Sequence, residues 1–77
     1  MSVGQRLHDL GLVLPQVPAP VAAYVPAVRS GSMIYTSGQL PFVAGELLHA
    51  GLVGEQVSVA EAVACARQCA LNALAAI

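Results

Sequence analysis

Tyr24-Val25-Pro26-Ala27-Val28-Arg29-Ser30-Gly31-Ser32-Met33-Ile34-Tyr35-Thr36-Ser37-Gly38-Gln39-Leu40-Pro41 is the stretch on which the fold turns. Val21 to Arg29 is mostly strand-compatible, and Pro26 confines that strand to an edge or a bulge because proline has no amide to give to a ladder. Ser30-Gly31 predicts a tight turn. Ser32 to Ser37 then reads as a second strand of β-branched and aromatic character, so the two should pair as a hairpin. Strand alternation places Met33 and Tyr35 on one face and Ile34 and Thr36 on the other. Neither face is strongly polar, which predicts that both are covered.

Upstream, Ser2-Val3-Gly4-Gln5 has the Ser-x-x-Gln form of a capping box. Leu7 and Leu10 follow at helical spacing and Gly11 stops the run, giving a short amphipathic helix. Leu14 to Pro20 holds three prolines, which fix φ and remove donors, so an extended connector follows. Downstream, Gly38 and Pro41 end the strand, Ala44-Gly45 suggests another turn, and Glu46 to Gly54 reads as a short third strand with loops.

The last element is the clearest. Ser58-Val59-Ala60-Glu61 is a Ser-x-x-Glu capping box that opens a helix running to Ile77. On a helical wheel Val59, Val63, Ala66, Ala70, Ala73 and Ile77 form one stripe, while Glu61, Gln68 and Asn72 mark a narrow polar side. This predicts a mostly buried helix whose alanines approach a sheet closely. No glycine, asparagine or proline closes the pattern, so the helix is expected to belong to a larger unit. The chain thus reads as one partial domain over 1–77. Residues 1–20 form a helix and proline-rich connector, 21–54 the strands, and 58–77 a helix. The class is α+β, an antiparallel sheet with helices on one face.

Composition points the same way. A chain of 77 residues is 57% hydrophobic and 9% charged, against roughly 25% charged in an average soluble domain. Such a chain can hardly cover its own apolar surface, and a core this small only just offsets conformational entropy. Partners are therefore expected. Three Lys+Arg against four Asp+Glu give a net charge of −1, which supplies no field for gripping a phosphate backbone or an anionic membrane. Neither nucleic acid nor membrane is expected as a partner. No apolar run is long enough to span a bilayer, and the polar start does not read as a secretory signal, so a cytoplasmic location is expected.

Cys65 and Cys69 lie four apart in the helical pattern, where Cβ atoms sit about 5–6 Å from each other against about 3.8 Å in a disulfide. Free, packed thiols are expected. No further ligands stand at metal-binding spacing, so neither metal nor organic cofactor is expected.

The ordered set in Tyr24 to Pro41 resembles the N-terminal half of the RidA/YjgF family: a tyrosine, a strand, a glycine turn, and a hydrophobic strand closing in Ser37-Gly38-Gln39-Leu40-Pro41. The resemblance implies a chorismate-mutase-like α+β fold and a homotrimer with ligand clefts between subunits. It also implies hydrolysis of reactive imines and enamines, of the 2-aminoacrylate type, to keto acid and ammonia. In that family an arginine holds the substrate carboxylate and a late glutamate assists water. Neither has a counterpart in these residues. By match, Tyr24, Ser37 and Gly38 become the residues that line the cleft. The chain departs from the family pattern at Ala22-Ala23, which replace the usual Gly-Pro, and at Pro26, where a polar residue is common. A member that keeps the clefts without the chemistry would be a trimeric binding or regulatory protein, the alternative reading.

The remaining chemistry-bearing residues read more plainly. Ser37 lacks a Gly-x-Ser-x-Gly elbow and any legible His–Asp arrangement, so it is not a serine nucleophile. Arg29 reads as an exposed arginine beside a turn. His8 and His49 read as solvated or satisfied by backbone, and Glu61 as a cap.

Overall fold

A computed structural model describes residues 2–17 and 25–77. Its elements are α1 (Val3–Asp9), β1 (Ala27–Ser30), β2 (Met33–Thr36), β3 (Phe42–Val43), β4 (Glu46–Leu47) and α2 (Val59–Ala76). The class is α+β, as the element order predicted.

The helix α1 starts where Ser2 accepts a hydrogen bond from the Gln5 amide. Only that half of the expected capping box forms, because the Gln5 carboxamide reaches forward to Asp9 instead. It ends in a Schellman motif: the Gly11 amide donates to His8 and the Leu12 amide to Leu7. Gly11 takes the positive φ of 72° that this ending requires.

The central hairpin forms in the register Ala27↔Thr36, Val28↔Tyr35, Arg29↔Ile34 and Ser30↔Met33. Its loop is therefore Gly31-Ser32, one residue later than Ser30-Gly31. Gly31 has a φ of 60°, which suits the first loop position of a type II′ turn, and the turn keeps the right-handed strand twist. Arg29 Nε donates to the Gly31 carbonyl at 3.0 Å and braces the loop. The sequence reading started this strand at Val21; residues 18–24 lie outside the described part, and the strand is observed from Ala27.

The reading of 46–54 as one strand needs correcting. Phe42–Val43 and Glu46–Leu47 pair with each other as a second small hairpin, closed by Ala44 and Gly45 at φ values of 52° and 83°. Two positive φ values in succession make this a type I′ loop, which matches strand twist and so wins over a continuous strand. The two hairpins are separate two-stranded sheets. Residues 48–57 form a loop pinned by Leu52 and Val57 backbone bonds. Gly51 is required there, since a Cβ would fall 2.6 Å from that of Gln56.

The helix α2 opens with the full reciprocal capping box of Ser58 and Glu61 and packs across β3. Within this chain its orientation departs from the helical wheel in two respects. Val59, Val63, Ala66, Ala70 and Ile77, most of the supposed inner stripe, are exposed. Asn72, placed on the polar side, is 0% exposed. Gln68 beside it is half-buried. The reason lies across the fold: backbone carbonyls at the entry to β3 need donors, and an amide side chain supplies them where an alanine cannot.

The hairpin faces are also open within this chain. Val28, Met33 and Tyr35 on one face each remain more than half exposed. The apolar core among the described residues comes down to Leu7 and Val57. No helix among those residues is long and apolar enough to cross a membrane.

Candidate ligand-binding site

The three residues singled out by resemblance fare differently. Tyr24 lies outside the described residues. Ser37 and Gly38 stand together at the end of β2, where the chain leaves the hairpin. The ladder runs one step past β2, the Ser37 amide donating to the Pro26 carbonyl at 3.1 Å. Pro26 can accept but not donate, so pairing stops there and the following residues are released from the sheet.

The Ser37 hydroxyl is part-buried and lies 3.5 Å from the same Pro26 carbonyl, at the long limit for a hydroxyl donor. The Gln39 carboxamide caps the residue from the other side, its Nε2 standing 3.4 Å from both the Ser37 carbonyl and Oγ. None of these partners is a base. A serine attacks only when an adjacent group takes its proton, so this hydroxyl is equipped to donate and accept hydrogen bonds and not to form an acyl or similar intermediate. Gly38 faces open space among the described residues: a Cβ there would meet nothing within 4 Å. A hydroxyl beside bare, exposed backbone lets a small polar molecule approach the main chain.

The far side of this strand end is fixed by α2. The Asn72 carboxamide nitrogen donates to the Leu40 carbonyl at 3.0 Å and the Phe42 carbonyl at 3.1 Å. Its oxygen accepts from Gln68 Nε2 at 3.0 Å. Sequence reading missed both Gln39 and Asn72 as contributors. The available signal for Asn72 was an asparagine inside a helix of alanines, where its side chain competes with helical backbone bonds and earns a place only through a partner elsewhere.

A second polar cluster joins the loop after β4 to the start of α2. His49 Nδ1 lies 3.2 Å from Glu61 Oε2, so this nitrogen meets a carboxylate while about a third of the side chain, 35%, stays exposed to solvent. Glu61 accepts from the Ser58 amide at 2.9 Å through its other oxygen. The Ser58 backbone bond, then the bond to its hydroxyl, then the nearby His49 hold the Glu61 carboxyl below its ordinary value. Nothing here leaves a carboxylate free to act on a substrate.

Cys65 and Cys69 are free and half-buried. Burial, with the neighbouring Cys65 thiol second, pushes the Cys69 thiol up, which favours the inert protonated form over a thiolate. Among the described residues no group of three His, Cys, Asp or Glu side chains is placed to hold a metal ion.

Comparison with known proteins fits this geometry into a family. The profile of the YjgF/chorismate mutase-like, putative endoribonuclease family matches residues 4–77. Protein TCP17 of Trypanosoma cruzi is 40% identical over 70 residues, covering 91% of this chain and 44% of that protein. The crystal structure of a putative endoribonuclease from Shewanella oneidensis superposes with a TM-score of 0.83 at 41% identity, over 95% of this chain and 48% of the other. Protein Atu1372 from Agrobacterium tumefaciens, of unknown function, gives a TM-score of 0.72 at 45% identity, over 92% and 41%. The chain thus spans a little under half the length of these relatives. With a profile match across nearly all its residues and two solved structures sharing its backbone course, the chain belongs to the YjgF/chorismate mutase-like family and has that family's α+β fold.

Proposed function

We propose that this chain supplies the N-terminal half of a site that hydrolyses reactive imines and enamines of the 2-aminoacrylate type to a keto acid and ammonia. The observation that carries the reading is the open strand end at Ser37-Gly38, where a part-buried hydroxyl adjoins exposed backbone with free space above it. Such an end can hold a small planar carboxylic acid by hydrogen bonds without reacting with it. Water adds to the C=N carbon, the carbinolamine forms, and ammonia leaves as the carbonyl is made. Positioning and charge complementarity suffice for this, with no covalent intermediate, metal or organic cofactor. Ser37, Gly38 and Tyr24 line the cleft in this proposal. A carboxylate-binding arginine and a water-activating glutamate come from the C-terminal half.

The proposal includes a homotrimer with each cleft between subunits. The exposed Val28, Met33 and Tyr35 face supports it, being an apolar surface that a lone chain leaves wet. A non-catalytic trimeric binder is the second reading: the groups that surround Ser37 among the described residues offer hydrogen bonds alone, which hold a ligand without acting on it. RNA cleavage, the activity for which the family and one relative are named, has weaker support here: three Lys+Arg and three aromatic side chains give little to hold phosphates or stack bases.

The test is a full-length form assayed with imines generated in situ by an amino-acid dehydratase. Ammonia release faster than in buffer is expected. A confirmed trimer that gives no acceleration yet binds pyruvate selects the binder; one that does neither removes both readings.

A further inference from the structure

We propose that Asn72 is a positioning residue for the Ser37-Gly38 strand end, locking from α2 the turn that presents it; this rests on the ligand-binding reading of that end. Hydrogen bonding in the second hairpin shows why a donor is needed. Around a two-residue loop the flanking pair Val43↔Glu46 is a bonded pair, and the next, Phe42↔Leu47, is a non-bonded one. The Phe42 carbonyl therefore points away from β4 and has no ladder partner. One residue back the alternation returns, with the Leu48 amide donating to the Pro41 carbonyl at 3.0 Å.

Leu40, Pro41 and Phe42 also close on themselves. The Phe42 amide donates to the Leu40 carbonyl at 2.8 Å, an i to i+2 bond that makes a γ-turn with Pro41 at its centre. Proline's fixed φ suits the inverse form of that turn. The Leu40 carbonyl has a second lone pair, and the Phe42 carbonyl has both free of ladder bonds. Asn72 donates one proton to each. A single carboxamide thus joins the two ends of the turn, and Gln68 fixes which end of that carboxamide is nitrogen.

The turn begins two residues after Gly38. On its other side Gly38 follows Ser37, whose amide and hydroxyl both reach Pro26. Between the end of the β1–β2 ladder and the Asn72 clamp lie Gly38 and Gln39, so tying both ends limits the positions Gly38 can reach. Freeing the Asn72 end would let Gly38 swing with Pro41. Asn72 touches none of the proposed reacting atoms, so its effect should fall on ligand binding.

The experiment uses the full-length form and Asn72→Leu, which retains bulk in the helix but cannot donate. In the folded variant the Gly38 amide resonance is expected to move. KM for imine generated in situ should rise roughly tenfold with kcat changed less, as expected when a donor-bonded geometry is lost. An unchanged Gly38 resonance together with an unchanged KM would overturn the proposal and leave the deaminase reading standing. Should the parent protein show no imine hydrolysis, that reading falls, and titration with pyruvate followed at the Gly38 amide decides the role of Asn72: weaker binding in the variant supports it, equal binding overturns it. If Asn72→Leu does not fold, Gln68→Leu takes its place. This variant leaves the Asn72 donors present but unoriented, and a KM or pyruvate Kd raised about threefold is expected. No change in Gln68→Leu would overturn the proposal.

Discussion

The two sides of α2 are not sorted by polarity in the usual way, although Cys65 and Cys69 are half-buried with the inner side and Arg67 is exposed. The side turned toward β3 carries Asn72, fully buried, and Gln68, half-buried. The side turned away carries Val59, Val63 and Ile77, each more than 60% exposed. Within these residues the fold is tied by specific polar bonds, while much of the apolar surface lies open beside the equally open Val28, Met33 and Tyr35. A buried amide with every partner in place fixes one geometry. An exposed apolar face gives no such instruction until something covers it. The inner side therefore defines the chain's own shape, and the outer faces define what it must meet.

The largest expected effect lies on the hairpin. Met33→Glu puts a charge on the face shared with Val28 and Tyr35, where no cation lies opposite; its cross-strand partner is Ser30. If a second copy covers that face, the variant should lose its oligomer, because burying an unpaired carboxylate costs several kcal/mol and an apolar contact of about 1.5–3 kcal/mol is removed as well. Light scattering coupled to size exclusion measures this. Ile34→Glu sharpens the result, since Arg29 stands directly across from it and can pair with the new carboxylate. It should weaken the assembly less. Equal assembly in both variants would show that neither face is the interface.

Next comes the contrast across α2 itself. Asn72→Leu leaves the Phe42 carbonyl without a donor and the Leu40 carbonyl with the Phe42 amide alone, and at ~1–3 kcal/mol for one unsatisfied buried group the loss should be about 1–3 kcal/mol. Val63→Gln, on the exposed side, should change stability by less than about 0.5 kcal/mol in the uncovered chain. Urea unfolding of the two variants decides whether the polar side holds the structure more firmly than the apolar side. A larger effect from Val63 would mean that the outer face is covered.

These contrasts explain what was legible in the sequence. Both caps, the central hairpin and the family pattern could be read because each depends on neighbours: Ser58 with Glu61, Gly31 with its flanking strands, Ser37 with Gly38. The inward face of α2 could not, because a helical wheel sorts residues by type and assumes that apolar means inside. Asn72 is inside because of carbonyls some thirty positions earlier, exposed to it only once Ala44-Gly45 forms the second hairpin. Of that hairpin the Ala44-Gly45 turn was legible and the pairing was not, its strands being two residues each. The site was half legible: Ser37 and Gly38 fall together at one strand end, and Gln39 and Asn72, which hold that end, make no motif of their own.

The second hairpin carries a smaller prediction. Ala44 sits at a φ of 52°, where its Cβ crowds the following carbonyl and a glycine or asparagine would not be penalised in the same way. Ala44→Gly should raise stability by about 0.5–1 kcal/mol, after offsetting glycine's greater freedom in the unfolded chain. A rise in the urea midpoint without a change in slope checks it. Because this hairpin carries the carbonyls that Asn72 holds, the same variant should also sharpen the Gly38 amide resonance.

The smallest effect concerns Glu61, which ties the polar start of α2 to His49. Its carboxyl is held below the ordinary value of 4.5 by the Ser58 backbone bond first, the Ser58 hydroxyl second and His49 third. A folded-state value below the unfolded one means that the carboxylate contributes stability in full above pH 4.5 and loses it as the pH falls through the lower folded value. Thermal melting between neutral pH and the acid side of that value should therefore fall more steeply in the parent than in Glu61→Gln. The glutamine can still accept from the Ser58 amide but carries no proton-linked charge. His49→Ala should remove only the third contribution, leaving most of the acid sensitivity in place, because the two Ser58 bonds outrank the ion pair at this solvent-exposed site. If His49→Ala flattened the profile as fully as Glu61→Gln, the ion pair and not the capping box would be what secures the start of α2.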